Sequence, residues 1–443
     1  MNSQKIIRTL FLGSCIFFFL TEMPKGQRQN LVVPFFSPVV AENVDYQSFP
    51  SQLMLKHTIG RFTKLPKNPV LTYSANGWDK DDVSDPFVYV TADSVYLFYD
   101  GSSHGKYNIG YAVRDPSGWF WVKRKKLLNQ SDSQWDSFHQ VDPNVLNVNG
   151  TWRLYYSGNQ SDSEFGYQIG LAEKNEAGDW FYPVQIPVFP MDTTSWDFAG
   201  NIYVNVHYFP ELKKFKMWYT GFQGPFSAIG LAESDNGLKW QKIGDGPVLN
   251  VFPGVIAPSV IYNGEKYIMY FVQLNLSSGF GTKIFRAEST DGIHWENFEE
   301  ILRPGAKWEG RRLMRPNISY FEGKVHLYYC GQKGSRWQIG EAFADAQFSE
   351  NGVWRSEVIK KNAGSLQIKF EQPQGTLIKA YAIDLKSGTR SELPLFNQTK
   401  PLRTNVYSST ISGLNIHGEW QLELELETTV ENRSPVIYEI NVN

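Results

Sequence analysis

Cysteine is almost missing from this chain. Cys15 and Cys330 are the two in 443 residues, and Cys15 lies in an N-terminal apolar run. A chain that loses its N-terminus therefore has no partner for Cys330, which excludes a cystine framework and leaves burial as the source of stability. Cys330 reads as a buried, inert thiol. An excess of one charge sign is missing too. A formal net charge of −2 gives no reason to expect nucleic acid or an anionic membrane as partner. No Cys/His cluster has zinc spacing, and no Gly-rich phosphate loop, Gly-x-Ser-x-Gly elbow or calcium-loop pattern occurs. The sequence thus names no metal and no cofactor, leaving only a structural ion in a central channel open.

Long hydrophobic runs are scarce as well. Lys5 and Arg8 precede the apolar run Leu10 to Leu20, which is shorter than the ~20 residues of a spanning helix and has the length of a signal-peptide core. A second apolar stretch from Leu31 ends in Val39-Val40-Ala41, a small-residue cleavage site. Residues 1–41 read as an export signal or a membrane anchor. The expectation is an exported protein, secreted or periplasmic, monomeric, touching a membrane only through that anchor.

What is present is a repeat. Asp85-Pro-Phe-Val88, Asp142-Pro-Asn-Val145, Tyr203-Val-Asn-Val206, Ala257-Pro-Ser-Val260 and Arg315-Pro-Asn-Ile318 follow one another at spacings of 57, 61, 54 and 58 residues. Six residues before the opening position stands Asp79, Asp136, Asp197 or Glu309, each after a tryptophan; the fourth repeat has Asn250-Val251 there. Each opening phrase is followed by an aromatic strand (LFYDG, LYYSG, MWYTG, MYFVQ, LYYCG), then by IGYA, IGLA, IGLA, IFRA or IGEA. A tryptophan closes each unit: Trp119 or Trp121, Trp180, Trp240, Trp295 and Trp354. Short alternating runs between Gly, Pro, Asn and Asp turns are strands and hairpins, and a period of this length predicts one four-stranded blade per repeat. The fold class is all-β, a five-bladed β-propeller over 58–360. From residue 361 to 443 strictly alternating runs such as Leu422/Leu424/Leu426 predict a small C-terminal β-sandwich. Ring closure has two candidates: Arg61 to Lys64 with Pro69-Val-Leu71, which matches the outer strand of the third repeat, or Trp354 to Ile359.

The residues opening the innermost strands face the central funnel of such a propeller. Two of them are aspartates. Carboxylates forced together split their pKa values, and hydrolysis of a glycosidic bond needs one ionised and one protonated group. Asp85 and Asp142 are therefore the predicted catalytic pair, with Arg315 tempering their repulsion. Tyr203, Asn205, Arg312 and Arg315 are the predicted substrate contacts, and carbohydrate the predicted partner.

On blade number, Asp85-Pro and Asp142-Pro, residues Thr58 to Ala346 resemble the five-bladed-propeller glycosidases: the arabinanase/xylosidase group (family 43), the invertase/levansucrase group and the agar-oligosaccharide hydrolases. The resemblance implies that Asp85 is the base or nucleophile and that Asp142 orients substrate and tunes the acid. The glutamate acid of the first two groups has no counterpart here, because Asn201 and Ile202 hold its place. Asp197, Glu309 and His139 are the substitutes, with His104 a more distant one; the agar-oligosaccharide group is thought to use a histidine. The leading expectation is an exported, exo-acting glycoside hydrolase. A non-catalytic glycan-binding propeller and a sugar phosphorylase, with phosphate on Arg311, Arg312 or Arg315, are the alternatives.

Overall fold

The computed structural model describes residues 31–443 except 34, 36–37, 116, 119, 129–134, 276–280 and 396–404. The apolar run with Lys5, Arg8 and Cys15, and also Trp119, lie outside the described residues. Among the described residues every regular element is a strand.

Five four-stranded antiparallel sheets contain the repeats. In the first, Asp82–Val90, Val95–Ser103, Lys106–Arg114 and Trp121–Lys126 follow one another side by side. The others begin with His139–Val148, Asn201–Phe209, Val255–Tyr262 and Leu313–Phe321. Each of these opening strands touches the next, and the fifth touches the first, so the arrangement is all-β and propeller-like. The repeated phrase has a backbone cause. Asp85, Asp142, Tyr203, Ala257 and Arg315 all have positive φ, between 51° and 62°, and the strand register slips just there in every sheet. A bulge of this kind re-aims one side chain. In each sheet it turns the opening residue out of the alternation.

A second column locks the sheets from behind. Trp78, Trp135, Trp196 and Trp308 stack on Tyr99, Tyr156, Tyr219 and Tyr329 with ring centroids 5.3–6.1 Å apart. Those tyrosine hydroxyls donate to Asp79, Asp136, Asp197 and Glu309. The indoles lie so close that a Cβ on Gly101, Gly158, Gly221 or Gly331 would sit 2.3–2.6 Å from a tryptophan carbon. The fourth sheet has lost the whole set together. It has Asn250-Val251 for Trp-acid, Phe271 for the tyrosine and Gln273 for the glycine. One packing unit, kept or discarded as a unit, explains the covariation between repeats.

The ring is closed by the N-terminal segment. Thr63–Lys64 pairs with Arg336–Ala344, Lys64 opposite Ala342, and Val70 N donates to Ile339 O at 2.8 Å. Val188 to Ile169 and Val248 to Ile229 repeat that bond in other sheets. Trp354 is not an outer strand of the fifth sheet. With that place taken by Thr63–Lys64, Asn351–Arg355 pairs instead with Trp420–Thr428, and the buried Trp354 indole donates to Phe35 O.

Of the remaining strands, His57–Ile59 and Ala346–Phe348 pair with each other. The others build a six-stranded sheet, from Leu31–Val32, Val44–Asp45, Leu53–Leu55, Val436–Val442, Ala363–Glu371 and Val406–Ile416, and a five-stranded sheet, from Val40–Glu42, Asn351–Arg355, Trp420–Thr428, Thr376–Asp384 and Arg390–Leu393. Leu366, Ile368 and Phe370 of the first share one buried cluster with Leu422, Leu424 and Leu426 of the second. This unit therefore starts before residue 361 and also takes strands from residues 31–55, which sequence alone assigned to a leader or left out. Cleavage after Ala41 would strip Leu31–Val32 and most of Val40–Glu42 from their sheets.

Candidate active site

Where the opening strands converge, a cavity of about 570 Å³, counting its open mouth, is lined by Ser84, Asp85, Tyr107, Val141, Asp142, Tyr167, Ile202, Tyr203, Met314, Cys330 and Trp337. The bulges deliver the first, second and third opening residues to its wall. Arg315 sits immediately behind, its Nε 3.5 Å from Asp142 Oδ1 and 4.0 Å from Asp85 Oδ1, with its guanidinium 5.2 Å from the Tyr203 ring centroid. Ala257 carries nothing to contribute.

The two aspartates are not equivalent. Asp85 keeps 17% of its side chain exposed and Asp142 only 1%. Asp85 is thus the more accessible of the two carboxylates. Asp142 accepts the Tyr203 amide at 3.3 Å, and its Oδ1 has no hydrogen-bond donor, only the Arg315 charge nearby. Burial, only partly offset by Arg315 and reinforced by Asp85, pushes Asp142 up to about 7.

A third carboxylate, which sequence reasoning passed over, completes the group. Asp100 is fully buried and receives the Asp142 amide on Oδ2 at 2.9 Å and Oδ1 at 3.2 Å. Asp85, Asp100 and Asp142 each offer an oxygen within 4.8 Å of the others'. Burial, then the charges of Asp85 and Asp142, hold Asp100 well above the ordinary carboxylate range. Three such groups could in number chelate a cation. Arg315 already supplies the positive charge at this spot, and we assign no metal. The signal for Asp100 was in the repeat: LFYDG has an acid where the other units have Ser157, Thr220, Val272 and Cys330.

The other predicted residues are placed elsewhere. Asp197 is fully buried and held by Tyr219 and Lys242, one of the locking acids described above. Glu309 is likewise buried against Tyr329 and Lys64. Burial works against its charge, but Lys64, the Ala306 and Gly305 amides and Tyr329 prevail and hold it below its ordinary value, the wrong direction for a proton donor. His139 is buried behind the cavity, its ring 5.4 Å from Tyr107 and 6.1 Å from Tyr167. Burial lowers its pKa and keeps it neutral. His104 is exposed at a hairpin tip. Asn205 is a stitch between sheets: its Oδ1 accepts the Val260 amide at 2.8 Å, as Asn144 accepts Val206 and Asn317 accepts Val88. Arg312 is exposed and outside the cavity wall. The structure therefore brings Asp85, Asp142, Tyr203 and Arg315 together and leaves the other predicted residues apart from them.

No family model matches the sequence. Two curated relatives, uncharacterised proteins from two strains of Mycobacterium tuberculosis, are 22% and 23% identical over 242 residues, 51% of this chain and 79% of each relative. Solved structures with a similar fold include a protein described as a glycoside hydrolase (TM-score 0.55, 16% identity, 63% of this chain and 92% of that one). A putative glycoside hydrolase of Parabacteroides distasonis gives a TM-score of 0.53 at 14% identity, covering 65% and 97%. A third belongs to the GH130 family, described as mannoside phosphorylases that include glycoside hydrolases targeting β-1,2 mannosidic linkages in Candida mannan; its TM-score is 0.51 at 14% identity, covering 65% and 94%. At these identities the likeness is one of fold, and the fold is glycoside-hydrolase-like.

Proposed function

We propose that this protein is an exported glycoside hydrolase built as a five-bladed β-propeller with a β-sandwich accessory unit, acting on the end of an oligo- or polysaccharide. The observation that carries the reading is the asymmetric pair on the cavity floor, Asp85 open to a ligand and Asp142 behind it, both facing Arg315. Asp85 attacks the anomeric carbon or takes a proton from an attacking water as the glycosidic C–O bond breaks, the leaving oxygen takes its proton from solvent at the open mouth of the cavity, and Asp142 sets the charge around Asp85. The two aspartates offer oxygens within 4.8 Å of each other, closer than the ~5–5.5 Å between the carboxyl groups of a retaining acid–nucleophile pair or the ~6.5–9.5 Å of an inverting one. They therefore act from one side of the bond, with Asp142 a modulator and not the acid. The walls suit a sugar: Tyr107, Tyr167, Tyr203 and Trp337 offer ring faces and hydroxyls around a few polar groups. A cavity closed on its sides by the opening strands favours a chain end over an internal segment.

The phosphorylase alternative meets a charge problem. The cavity wall carries Asp85 and Asp142 and no cation; Arg311 and Arg312 are exposed elsewhere, and Arg315 is engaged by the aspartates. An inorganic phosphate would enter a site of net negative charge. Turnover of a panel of aryl glycosides and of plant, algal and mannan oligosaccharides, with and without phosphate, is the test. Phosphate-independent release of a terminal sugar supports the proposal. Strict phosphate dependence would establish the phosphorylase, and binding with no turnover of any substrate would establish a glycan-binding propeller.

A further inference from the structure

The five repeats contain an internal control for Asp100. In the first, third and fifth repeats the residue at this place accepts the amide of the opening residue of the next sheet: Asp100 from Asp142, Thr220 Oγ1 from Ala257 at 2.9 Å, Cys330 Sγ from Asp85 at 3.0 Å. A neutral hydroxyl or thiol performs that structural task. The ionised form of a fully buried carboxylic acid costs several kcal/mol more than a hydroxyl, and Asp100 adds it where two carboxylates already share one arginine. An amide in this place can be satisfied without an acid, which leaves the acid free for a second task, and Asp85 has an oxygen within 4.8 Å.

We propose that Asp100 is a positioning residue for Asp85: a carboxylic acid that keeps its proton and donates it in a hydrogen bond to the Asp85 carboxylate, leaving the other Asp85 oxygen turned to the cavity. The shorter amide contact falls on Oδ2, so Oδ1 is the oxygen that carries the proton. Asp85, Asp142, Tyr167 and Cys330 face this group, and Arg315 lies against Asp85 and Asp142. Among them Arg315 is the one cation, and the burial and neighbouring carboxylates that push Asp100 up act in the same sense as the proposed proton. The proton neutralises one of three clustered charges. It also does for Asp85 what an orienting group does for a catalytic base, fixing the reacting oxygen and favouring its ionised form.

The catalytic half of this inference rests on Asp85 being the reacting group; the proton itself does not. Two variants separate the roles. Asp100→Ser offers the Asp142 amide a hydroxyl acceptor, as Thr220 offers one to Ala257, but is too short to reach Asp85. Asp100→Asn keeps the amide contact and can still donate to Asp85. Infrared difference spectra at neutral pH are expected to show, besides the band of Asp142, a protonated-carboxyl C=O band that Asp142→Asn keeps and both Asp100 variants lose; no such band in Asp142→Asn would overturn the proposal, even if no glycoside is turned over. On a glycoside that is turned over, Asp100→Ser should lose roughly 10- to 100-fold in kcat/KM, the worth of one hydrogen bond to a charged group, and its acid limb should move to higher pH. Asp100→Asn should recover most of both. If Asp100→Ser matches the wild type in rate and pH profile, or if Asp100→Asn moves the acid limb to lower pH as relief of a negative charge would, the positioning role is wrong.

Discussion

Acids occur at two depths of this ring, and the protein compensates the two sets differently. In the outer set, Asp79, Asp197 and Glu309 each receive a tyrosine hydroxyl and a lysine ammonium, while Asp136 receives Tyr156 and Gln140. Every one of these acids is hydrogen-bonded and stacked behind a Trp–Tyr pair. In the inner set, Asp85 and Asp142 share Arg315, Asp100 crowds both, and a buried Asp142 oxygen has no donor. Fully paired acids stabilise a fold; acids crowded and under-compensated in a cavity store pKa shifts that chemistry can use. The outer set holds the sheets; the inner set is the one we propose for chemistry.

The comparison can be broken from either side. Asp85→Asn is expected to cut turnover roughly 10²–10⁴-fold or more, with sugar binding and melting temperature near the wild type; loss of folding instead would move Asp85 into the structural set. The inner set should also show in the pH dependence of stability. Asp142 sits at about 7 in the folded protein against roughly 3.9 unfolded. Between these values the folded state holds a proton the unfolded chain has released, so stability falls as pH rises from ~4 to ~7, at most ~1.4 kcal/mol per unit. Denaturant titrations should find that slope flattened in Asp142→Asn. For the outer set, Asp197→Asn should cost about 3 kcal/mol by leaving Lys242 without its carboxylate, read as a lower denaturation midpoint with kcat unchanged. The closing strand gives the last case: Lys64→Met, which leaves the fully buried Glu309 without its cation, should cost about 3 kcal/mol, as Asp197→Asn does, while removal of residues up to Pro69 should lower the melting temperature more, by leaving a sheet edge unpaired.

Much of this was legible in the sequence because the repeat made positions comparable. The opening phrase brought out Asp85, Asp142, Tyr203 and Arg315 from their column alone, and the likeness of Arg61 to Lys64 with Pro69-Val-Leu71 to the third repeat made that segment one of the two candidates for closing the ring. The failures have local causes. Asp100 ends an aromatic strand just before a glycine, where an acid looks like turn chemistry; its meaning appears only when its column is compared. Asn205 shares the phrase with Tyr203, but the bulge sends the two side chains different ways, one to the cavity and one to the neighbouring sheet's amide. Trp354 follows a Gly-containing turn as the outer-strand tryptophans do, and only pairing in three dimensions shows that its strand belongs with Trp420–Thr428. Strands contributed by residues 31–55 are too short to announce themselves.

The division between the two sets is tested most directly by measuring melting temperature and glycoside turnover side by side for Asp85→Asn and Asp197→Asn. The account predicts opposite losses: Asp85→Asn folded but inactive, Asp197→Asn active but less stable. Equal losses in both quantities for both variants, or an active Asp85→Asn, would contradict it.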